Sequence, residues 1–291
     1  MRRFSVILAL FVVFLASGDQ VYAARSMYDY DPQLMVYHPA NIQGLTGLIV
    51  TNSAYTLPKG TFTFSLSGVG ENSETPDYSL VQGIASLTYG VTDRIEVGVR
   101  GKMLVSNVGS SEMRESGMGD TDFLFKWRLT SQGEYLPAFA LGVGVTIPTA
   151  DETKGYSEVG HEGVRLMVIG AHEMEMPDGI VLGFYGEGQI VLVDQLEEEG
   201  SSEYQEQYGV INLGVLFPVT ENNQWQVIAE FNSVTKKDIA TLGETDYTAF
   251  MPGLRYVTPT LNMTAGVQFL NKDLPDVKND LRYIATLGLL F

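Results

Sequence analysis

The stretch GMGDTDFLFKWRL, residues 117–129, decides the fold class that this sequence predicts. Charged and large apolar residues alternate along it, so an extended strand would carry them on opposite faces. The charged set is Asp120, Asp122, Lys126 and Arg128, and the apolar set is Phe123, Phe125, Trp127 and Leu129. Two environments suit such a strand: a soluble sheet with one wet face, or a barrel wall with lipid outside and a wet lumen inside.

The same period-2 pattern recurs along the chain, which favours the second environment. It is found at 61–69, 81–89, 94–105, 119–130, 135–149, 162–173, 180–193, 208–219, 224–233, 245–257, 261–269 and 281–291. About twelve strands of roughly ten residues match the length that a tilted membrane-spanning strand needs. Pro252 lies inside one of these runs and predicts a bulge or bend there.

The connections between the runs alternate in length. VTD, SQGEY, EMPDG, TENNQ and TPT are short, whereas ENSETPD, SNVGSSEMRESG, ADETKGYSEVGHE, QLEEEGSSEYQEQ, TKKDIATLGETD and NKDLPDVKND are longer and mostly acidic. This alternation is typical of outer-membrane barrels. The sequence therefore predicts an all-β, closed antiparallel transmembrane β-barrel with short periplasmic turns and longer extracellular loops. A soluble all-β sandwich or barrel is the alternative.

The N-terminus predicts export. Arg2 and Arg3 precede an apolar run, and Val21-Tyr22-Ala23 fits a cleavage site, so residues 1–23 read as a signal peptide. Residues 61–291 would form the barrel. Residues 24–60 do not alternate cleanly, and three interpretations stay open for them: a plug or periplasmic lead-in, an extra strand at the rim, or a loose tail.

Composition narrows the class of function and the partners. The formal net charge is −17, which argues against binding nucleic acid, and the chain has no cysteine, which excludes disulfides and thiolate metal sites. We expect the bacterial outer membrane as the location, with its lipid as a partner. The terminal Phe291 resembles the aromatic tail that outer-membrane assembly machinery reads, so that machinery is a second expected partner, and a small-molecule solute is a third.

Several motifs together resemble one outer-membrane family. They are SAYTLPKGTF before the first run, GMGDTDFLFKWRL, GVGVTIPTAD at a strand end, and the terminal phenylalanine. They are similar to the family called MetA-pathway of phenol degradation, although Ala150 stands where the family often has glycine. The resemblance implies an outer-membrane barrel with a transporter-like role in uptake of small, hydrophobic or aromatic compounds. It supplies neither a substrate nor catalytic residues.

No enzyme, cofactor or metal site is predicted. The three histidines are His38 before the barrel, His161 in a loop, and His172 at a strand end on the lipid-facing phase. None shares a strand face with a suitable serine and carboxylate, which nucleophilic catalysis would need. The sequence also lacks metal-ligand spacing and a glycine-rich phosphate loop.

The charges on the inward phase are the candidate site. They are Glu96, Arg100, Lys102, Asp120, Asp122, Lys126, Arg128, Arg165, Glu187, Glu230, Arg255 and Arg282. Either they line a polar channel, or acids and bases pair across the lumen and fill it. Pairing is favoured as their main role, because isolated charges are costly to desolvate. The predicted function is passage of small molecules, and the alternative is a non-conducting barrel plugged by the N-terminal segment. A surface enzyme is a distant third.

Overall fold

Thirteen strand segments make up the barrel in the computed structural model. The structure describes residues 39–74, 77–109, 114–133, 135–150, 163–176, 181–194, 205–220, 223–237, 247–272 and 280–291. The strands are β1 Phe62–Glu74, β2 Asp77–Thr92, β3 Ile95–Gly109, β4 Arg114–Gly117, β5 Thr121–Thr130, β6 Ala138–Ile147, β7 Gly163–Glu175, β8 Val181–Asp194, β9 Gln205–Pro218, β10 Trp225–Lys237, β11 Tyr247–Val257, β12 Leu261–Lys272 and β13 Asp280–Leu290. The predicted signal peptide and most of the predicted acidic loops lie outside the described residues.

The sheet closes on itself. The long strands pair antiparallel in chain order, and β1 pairs with β13, so the sheet forms a closed ring; within the described residues the short β4 pairs only with β3. The short β4 and the longer β5 both pair with β3, at Val105–Val108 and Ile95–Gly101, and therefore form one interrupted strand. The barrel thus has twelve strands around its wall, which confirms the predicted fold class. Closure lets the backbone groups of the long strands pair with neighbouring strands around the wall, as lipid surroundings require.

The two faces of the wall differ as the alternation predicted. Large apolar side chains are exposed on the outside, and polar side chains are buried on the inside. The exposed set includes Phe62, Phe64, Leu66, Leu87, Val99, Phe123, Leu141, Leu166, Val168, Phe184, Ile190, Leu213, Phe231, Phe250, Phe269 and Leu289. Such a surface is stable only when hydrocarbon covers it, because water would be in contact with apolar area on every strand.

Several details differ from the sequence-based expectations. Strands β1 and β2 run on to Glu74 and Asp77, so most of the expected loop at 71–77 belongs to the sheet. No register shift occurs at Pro252: the β11–β12 pairing pauses between Phe250 and Gly253 and resumes in the same register. Proline lacks an N–H, which explains the pause, and its outward exposure explains why the strand tolerates it.

Residues 39–60, called the N-terminal segment below, lie inside the barrel and lead into β1. Two isolated bridges, Ala40 with Thr46 and Gly47 with Asn52, fold the segment back on itself. Gly44 turns the chain at a φ of 84°, a backbone conformation that favours glycine. Leu45, Leu48 and Ile49 of the segment are buried in one apolar cluster with inward-facing barrel residues, which include Leu124, Leu216, Ile228 and Met251.

Among the described residues, no helix has the length and apolar character needed to cross a bilayer.

Candidate functional site: the barrel interior

The twelve charged residues singled out from the sequence lie on the inner side of the wall. Most are buried: Glu96, Lys102, Asp120, Asp122, Lys126, Glu187, Glu230 and Arg255. The other four are half-buried: Arg100, Arg128, Arg165 and Arg282. They form several groups at different heights in the barrel.

Three ion pairs join directly opposed residues of neighbouring strands. Arg100 of β3 faces Asp122 of β5, and its Nε donates to Oδ2 at 2.7 Å. The other two pairs are Glu96 with Lys126 and Glu71 with Arg282. Opposed positions bring the side chains of neighbouring strands within contact distance. The expectation that Asp122 pairs across the lumen is therefore wrong, because its partner is beside it in the sheet.

The Glu96–Lys126 pair is fully buried and holds the N-terminal segment. The Lys126 Nζ lies 3.0 Å from Glu96 Oε1, and neither side chain is exposed. Glu96 also accepts hydrogen bonds from the backbone N–H of Thr46 at 2.9 Å and of Leu57 at 2.8 Å. Lys126 donates to the carbonyl oxygen of Ser53 at 3.0 Å. One ion pair thus fixes both arms of the folded segment to β3 and β5.

A second buried pair of charges, Glu230 of β10 and Arg255 of β11, binds the tip of the segment. Glu230 accepts hydrogen bonds from three consecutive backbone N–H groups, of Ile49, Val50 and Thr51. Arg255 donates from Nη2 to the carbonyl oxygens of Gly47 at 3.0 Å and Leu48 at 2.6 Å. Glu230 binds backbone N–H groups and Arg255 binds backbone carbonyl groups, so both kinds of backbone group in residues 47–51 are held by the wall.

Polar contacts continue around the wall from Glu187 of β8. This carboxylate accepts from the Asn52 side chain of the segment at 2.6 Å and from Asn212 of β9 at 3.0 Å. A chain of side-chain hydrogen bonds then runs from strand to strand through Asn212, Asn232, Gln268, Arg282 and Glu71. The inner wall from β8 to β1 therefore carries a continuous polar belt.

Glycines make room for the segment at the points where it touches the wall. Five face inward beside it: Gly90, Gly98, Gly214, Gly253 and Gly266. A Cβ atom added at Gly98 would lie 2.2 Å from the Gly44 carbonyl oxygen, and one at Gly253 would lie 2.3 Å from Ile49 Cδ1. Both separations are far below van der Waals contact, so a larger side chain would displace the segment. Glycine on the inward phase of a strand is a signal, readable from the sequence, that another segment approaches the strand closely.

A small cavity of about 20 Å³ lies between β3, β5, β7 and the strands beside them. Arg100, Lys102, Asp120, Asp122 and Arg165 supply its charged lining. The alternation along the strands predicted that these five side chains face the lumen, and the fold brings them together at this cavity. Asp120 precedes β5, in the break between β4 and β5, and its carboxylate accepts from the Ala150 N–H at 3.3 Å.

Arg128 lies apart from these groups, at the short-turn rim. It donates to the carbonyl oxygen of Asp93 in the β2–β3 turn. The β5–β6 register shifts between Arg128 and Thr130, so the strict two-residue spacing ends there. Of the three histidines, His38 and His161 lie outside the described residues, and His172 is a half-buried residue of β7.

The class of protein follows from the wall and its two faces. A closed twelve-stranded antiparallel barrel with an apolar outside and a polar inside is an outer-membrane barrel of the Gram-negative bacterial type. The predicted location in the bacterial outer membrane is confirmed.

Comparisons with known proteins agree on the fold and add no family. No family model matches the sequence, and no curated protein matches it. A COG4313 outer-membrane channel from Pseudomonas putida F1 superposes with a TM-score of 0.59 and 13% identity, over 82% of this chain and 98% of that one. The NanC porin superposes with a TM-score of 0.53 and 10% identity, over 78% and 98%. The resemblance to the MetA-pathway of phenol degradation family stays a prediction.

Proposed function

We propose that this chain is an outer-membrane channel for small molecules, and that its N-terminal segment plugs the lumen in the closed state. The observation that carries the proposal is the clamp on residues 47–51 by Glu230 and Arg255. The clamp holds residues 47–51 against the inner wall, and in this proposal passage requires the segment to move.

The nature of the plug's contacts supports a plug that can be released. Carboxylates and bases of the wall hold the plug's backbone by hydrogen bonds, as at Glu96, Glu187, Glu230 and Arg255. Once the plug leaves, water can solvate the same wall groups, and this offsets part of the cost of exposing apolar wall residues such as Leu124, Leu216 and Ile228. If the wall held the plug by apolar contacts alone, release of the plug would cost more free energy, because all of the uncovered area would be apolar surface in water.

The solute class is also part of the proposal. The family resemblance implies hydrophobic or aromatic compounds, and the structural neighbours named above are a channel and a porin. We propose small aromatic solutes with a polar group, because the body of such a solute resembles the implied class and the group can bind the polar wall. Transport rather than catalysis is the proposed activity.

Single-channel recording tests the proposal directly. The full-length mature protein, reconstituted in a planar bilayer, should show rare openings, and deletion of residues 40–53 should hold the channel open. Gly68→Ala is a matched control, since Gly68 faces open space and its change leaves the lumen alone. If the deletion variant inserts as a folded barrel and stays silent, the chain is no channel.

The second candidate is a permanently plugged, non-conducting barrel. The Glu96–Lys126 pair favours it, because both side chains have no exposure and both bind the segment. Separating such a pair from its partners leaves charges that must be rehydrated. The recording above distinguishes the two candidates: a full-length protein that never opens under any voltage, together with a conducting deletion variant, would identify a static plug.

Two expectations about the chain ends are proposals as well. We propose that residues 1–23 are removed on export, so mass spectrometry of the outer-membrane protein should find Ala24 first. Phe291 is largely exposed, and its backbone pairs with Phe62 to complete the wall. We propose that assembly machinery reads this residue, so Phe291→Ala should reduce the amount of inserted barrel and leave the refolded barrel's stability close to wild type.

A further inference from the structure

The charged cavity beside the N-terminal segment differs from the other polar groups of the lumen in its balance of charge. Among the residues that the structure describes, three bases, Arg100, Lys102 and Arg165, and two acids, Asp120 and Asp122, line it, so this described lining has one positive charge in excess. The chain as a whole has a formal charge of −17. A local excess of positive charge in such an acidic protein points to an anionic ligand.

The excess falls on Arg165. Arg100 already binds Asp122 through Nε and Nη2, and the other carboxylate oxygen of Asp122 accepts from Thr146 at 2.6 Å. Arg165 donates from Nη1 to the neutral amide of Gln43 at 3.3 Å, and its buried Nε has no hydrogen-bond partner. Within the described part of the chain, no carboxylate is within ion-pair distance of Arg165. A buried guanidinium N–H without an acceptor costs about 1–3 kcal/mol or more.

The size of the cavity limits what can bind. Its volume of about 20 Å³ takes one or two water-sized groups. A carboxylate presents two oxygens, and the edge of a guanidinium binds them with two parallel hydrogen bonds. From this fit, and resting on the proposed channel function, we propose that Arg165, with Lys102 and Arg100, binds the carboxylate group of a small organic acid that the channel passes.

The same site is coupled to the plug through Gln43. The Gln43 Oε1 atom accepts from Arg165 and from Gln189, each at 3.3 Å, and its Nε2 donates to the Val50 carbonyl oxygen at 2.8 Å. A carboxylate bound to the Nε and Nη2 atoms of Arg165 leaves Nη1 to Gln43, so the ligand and the plug bind neighbouring atoms of one guanidinium.

The first experiment needs no variant. Fluorine NMR titrations of the purified full-length barrel in detergent compare 4-fluorobenzoate with 4-fluorobenzamide, which has the same shape and no charge. The carboxylate should bind at least about tenfold more tightly, the factor that one extra charge-assisted hydrogen bond supplies. Equal affinities for the acid and the amide overturn the proposal.

Two substitutions locate the site. Arg165→Met removes the charge and keeps the stem, and should weaken 4-fluorobenzoate binding by about tenfold or more. Arg165→Lys keeps the charge but loses the two parallel hydrogen bonds of the guanidinium edge, so it should weaken binding by less than Arg165→Met does. Arg128→Met is the matched control: it removes one base at the short-turn rim, outside the cavity, and should bind as wild type does. Unchanged affinity in Arg165→Met overturns the proposal. If that variant does not fold, a weaker affinity for 4-fluorobenzoate in Arg165→Lys supports the proposal, and an unchanged affinity in Arg165→Lys overturns it.

A competition experiment separates a carboxylate site from a general anion site. Acetate should displace 4-fluorobenzoate, and chloride at the same concentration should not. Displacement by chloride as effective as by acetate overturns the carboxylate assignment. Binding is measured on the barrel in detergent, without conductance. If the barrel conducts ions but does not bind 4-fluorobenzoate, only the carboxylate site is refuted. If the barrel binds 4-fluorobenzoate but never conducts, only the channel function is refuted.

Discussion

The carboxylate of Glu230 accepts a 2.7 Å hydrogen bond from the backbone N–H of Thr51, although 179 residues separate the two along the chain. The neighbouring N–H groups of Ile49 and Val50 point at the same carboxylate. A carboxylate that receives several N–H groups stabilises the loop that presents them, because each bond is assisted by the full negative charge. Glu230 therefore holds three consecutive residues of the N-terminal segment against β10.

Glu230→Gln should loosen the plug and leave the barrel folded. Glutamine has the same size and still offers one oxygen, but the charge is lost, at about 1.5–3 kcal/mol for bonds to a charged group. The chain has no cysteine, so Val50→Cys gives a unique label. Maleimide should label Val50→Cys roughly tenfold faster or more when Glu230→Gln is present.

Glu71→Gln is the control for that experiment. It removes the same charge from the inner wall, but its partner is Arg282 of the neighbouring strand. It should lower the stability of the barrel without changing the labelling rate at Val50. Equal acceleration by both substitutions would mean that general loosening of the wall, and not the clamp, exposes the plug.

Gly98→Ala should expel part of the plug by steric contact alone. A Cβ atom there meets the Gly44 carbonyl oxygen at 2.2 Å, and overpacking of this kind typically costs about 1–3 kcal/mol. The cost falls on the plug, since β3 itself tolerates alanine. Open probability in bilayers should rise, whereas the heat-modifiable gel mobility should stay as in wild type. Gly68→Ala adds the same methyl group where nothing lies within 4 Å, and it should change neither measurement.

The wall was predictable from the sequence because two-residue periodicity is a local signal. Phe123 and Asp122 fall on opposite faces whatever strand lies beside them, and burial in the structure follows that phase. Strand pairing is different. Whether Asp122 meets Arg100 depends on the β3–β5 register, which depends in turn on the interruption at 118–120 and the bulge between Gly83 and Ile84. No local pattern encodes that register, so the pairing across the lumen was the wrong expectation.

The N-terminal segment was harder to interpret from the sequence for another physical reason. Its backbone is satisfied by side chains of distant strands, such as Glu230 for Thr51 and Arg255 for Leu48, so residues 39–60 need no regular secondary structure. A segment without periodicity therefore looked the same as a loose tail. Its partners in the wall, the inward-facing glycines at 90, 98, 214, 253 and 266, carried the missing information.

The lipid-facing side of β5 gives a prediction about stability. Phe123 faces outward and is 47% exposed. Phe123→Arg should cost roughly 2–4 kcal/mol if the residue lies near the bilayer midplane. Leu129→Arg, on the same face at the end of the strand, should cost only about 0–1 kcal/mol, as near the interface. Urea unfolding of both variants in lipid vesicles measures this. Equal costs at the two positions would contradict the assignment of Phe123 to the bilayer interior and of Leu129 to the interface.

The orientation of the barrel gives a prediction on cells. Strands β11 and β12 are joined by a tight turn at Thr258–Thr260, on the rim where the other short turns lie. The acidic stretch 197–203 lies outside the described residues. An epitope inserted at 197–203 should bind antibody on intact cells, and one at Thr258–Thr260 should bind only after the outer membrane is permeabilised. The reverse pattern would invert the topology.

Lys126, from the stretch that predicted the fold, gives the last prediction, because its role depends on whether the plug is present. In the closed barrel it has no exposure, and Glu96, Thr46 and Ser53 surround its ammonium group. Lys126→Gln leaves Glu96 buried without its ion-pair partner, and breaking a buried pair in this way costs about 3–5 kcal/mol. The full-length variant should therefore unfold at lower urea. Arg128→Gln, at the half-exposed rim, should cost no more than about 1 kcal/mol.

In a barrel that lacks residues 40–53, Thr46 and Ser53 are gone and Lys126 faces water. There the same Lys126→Gln substitution should shift the bilayer reversal potential toward cation selectivity, because the wall loses a positive charge that a passing ion meets. Selectivity that changes in the full-length protein with no loss of stability would show that ions pass Lys126 while the plug is in place, and the closed state described by its contacts would then be wrong.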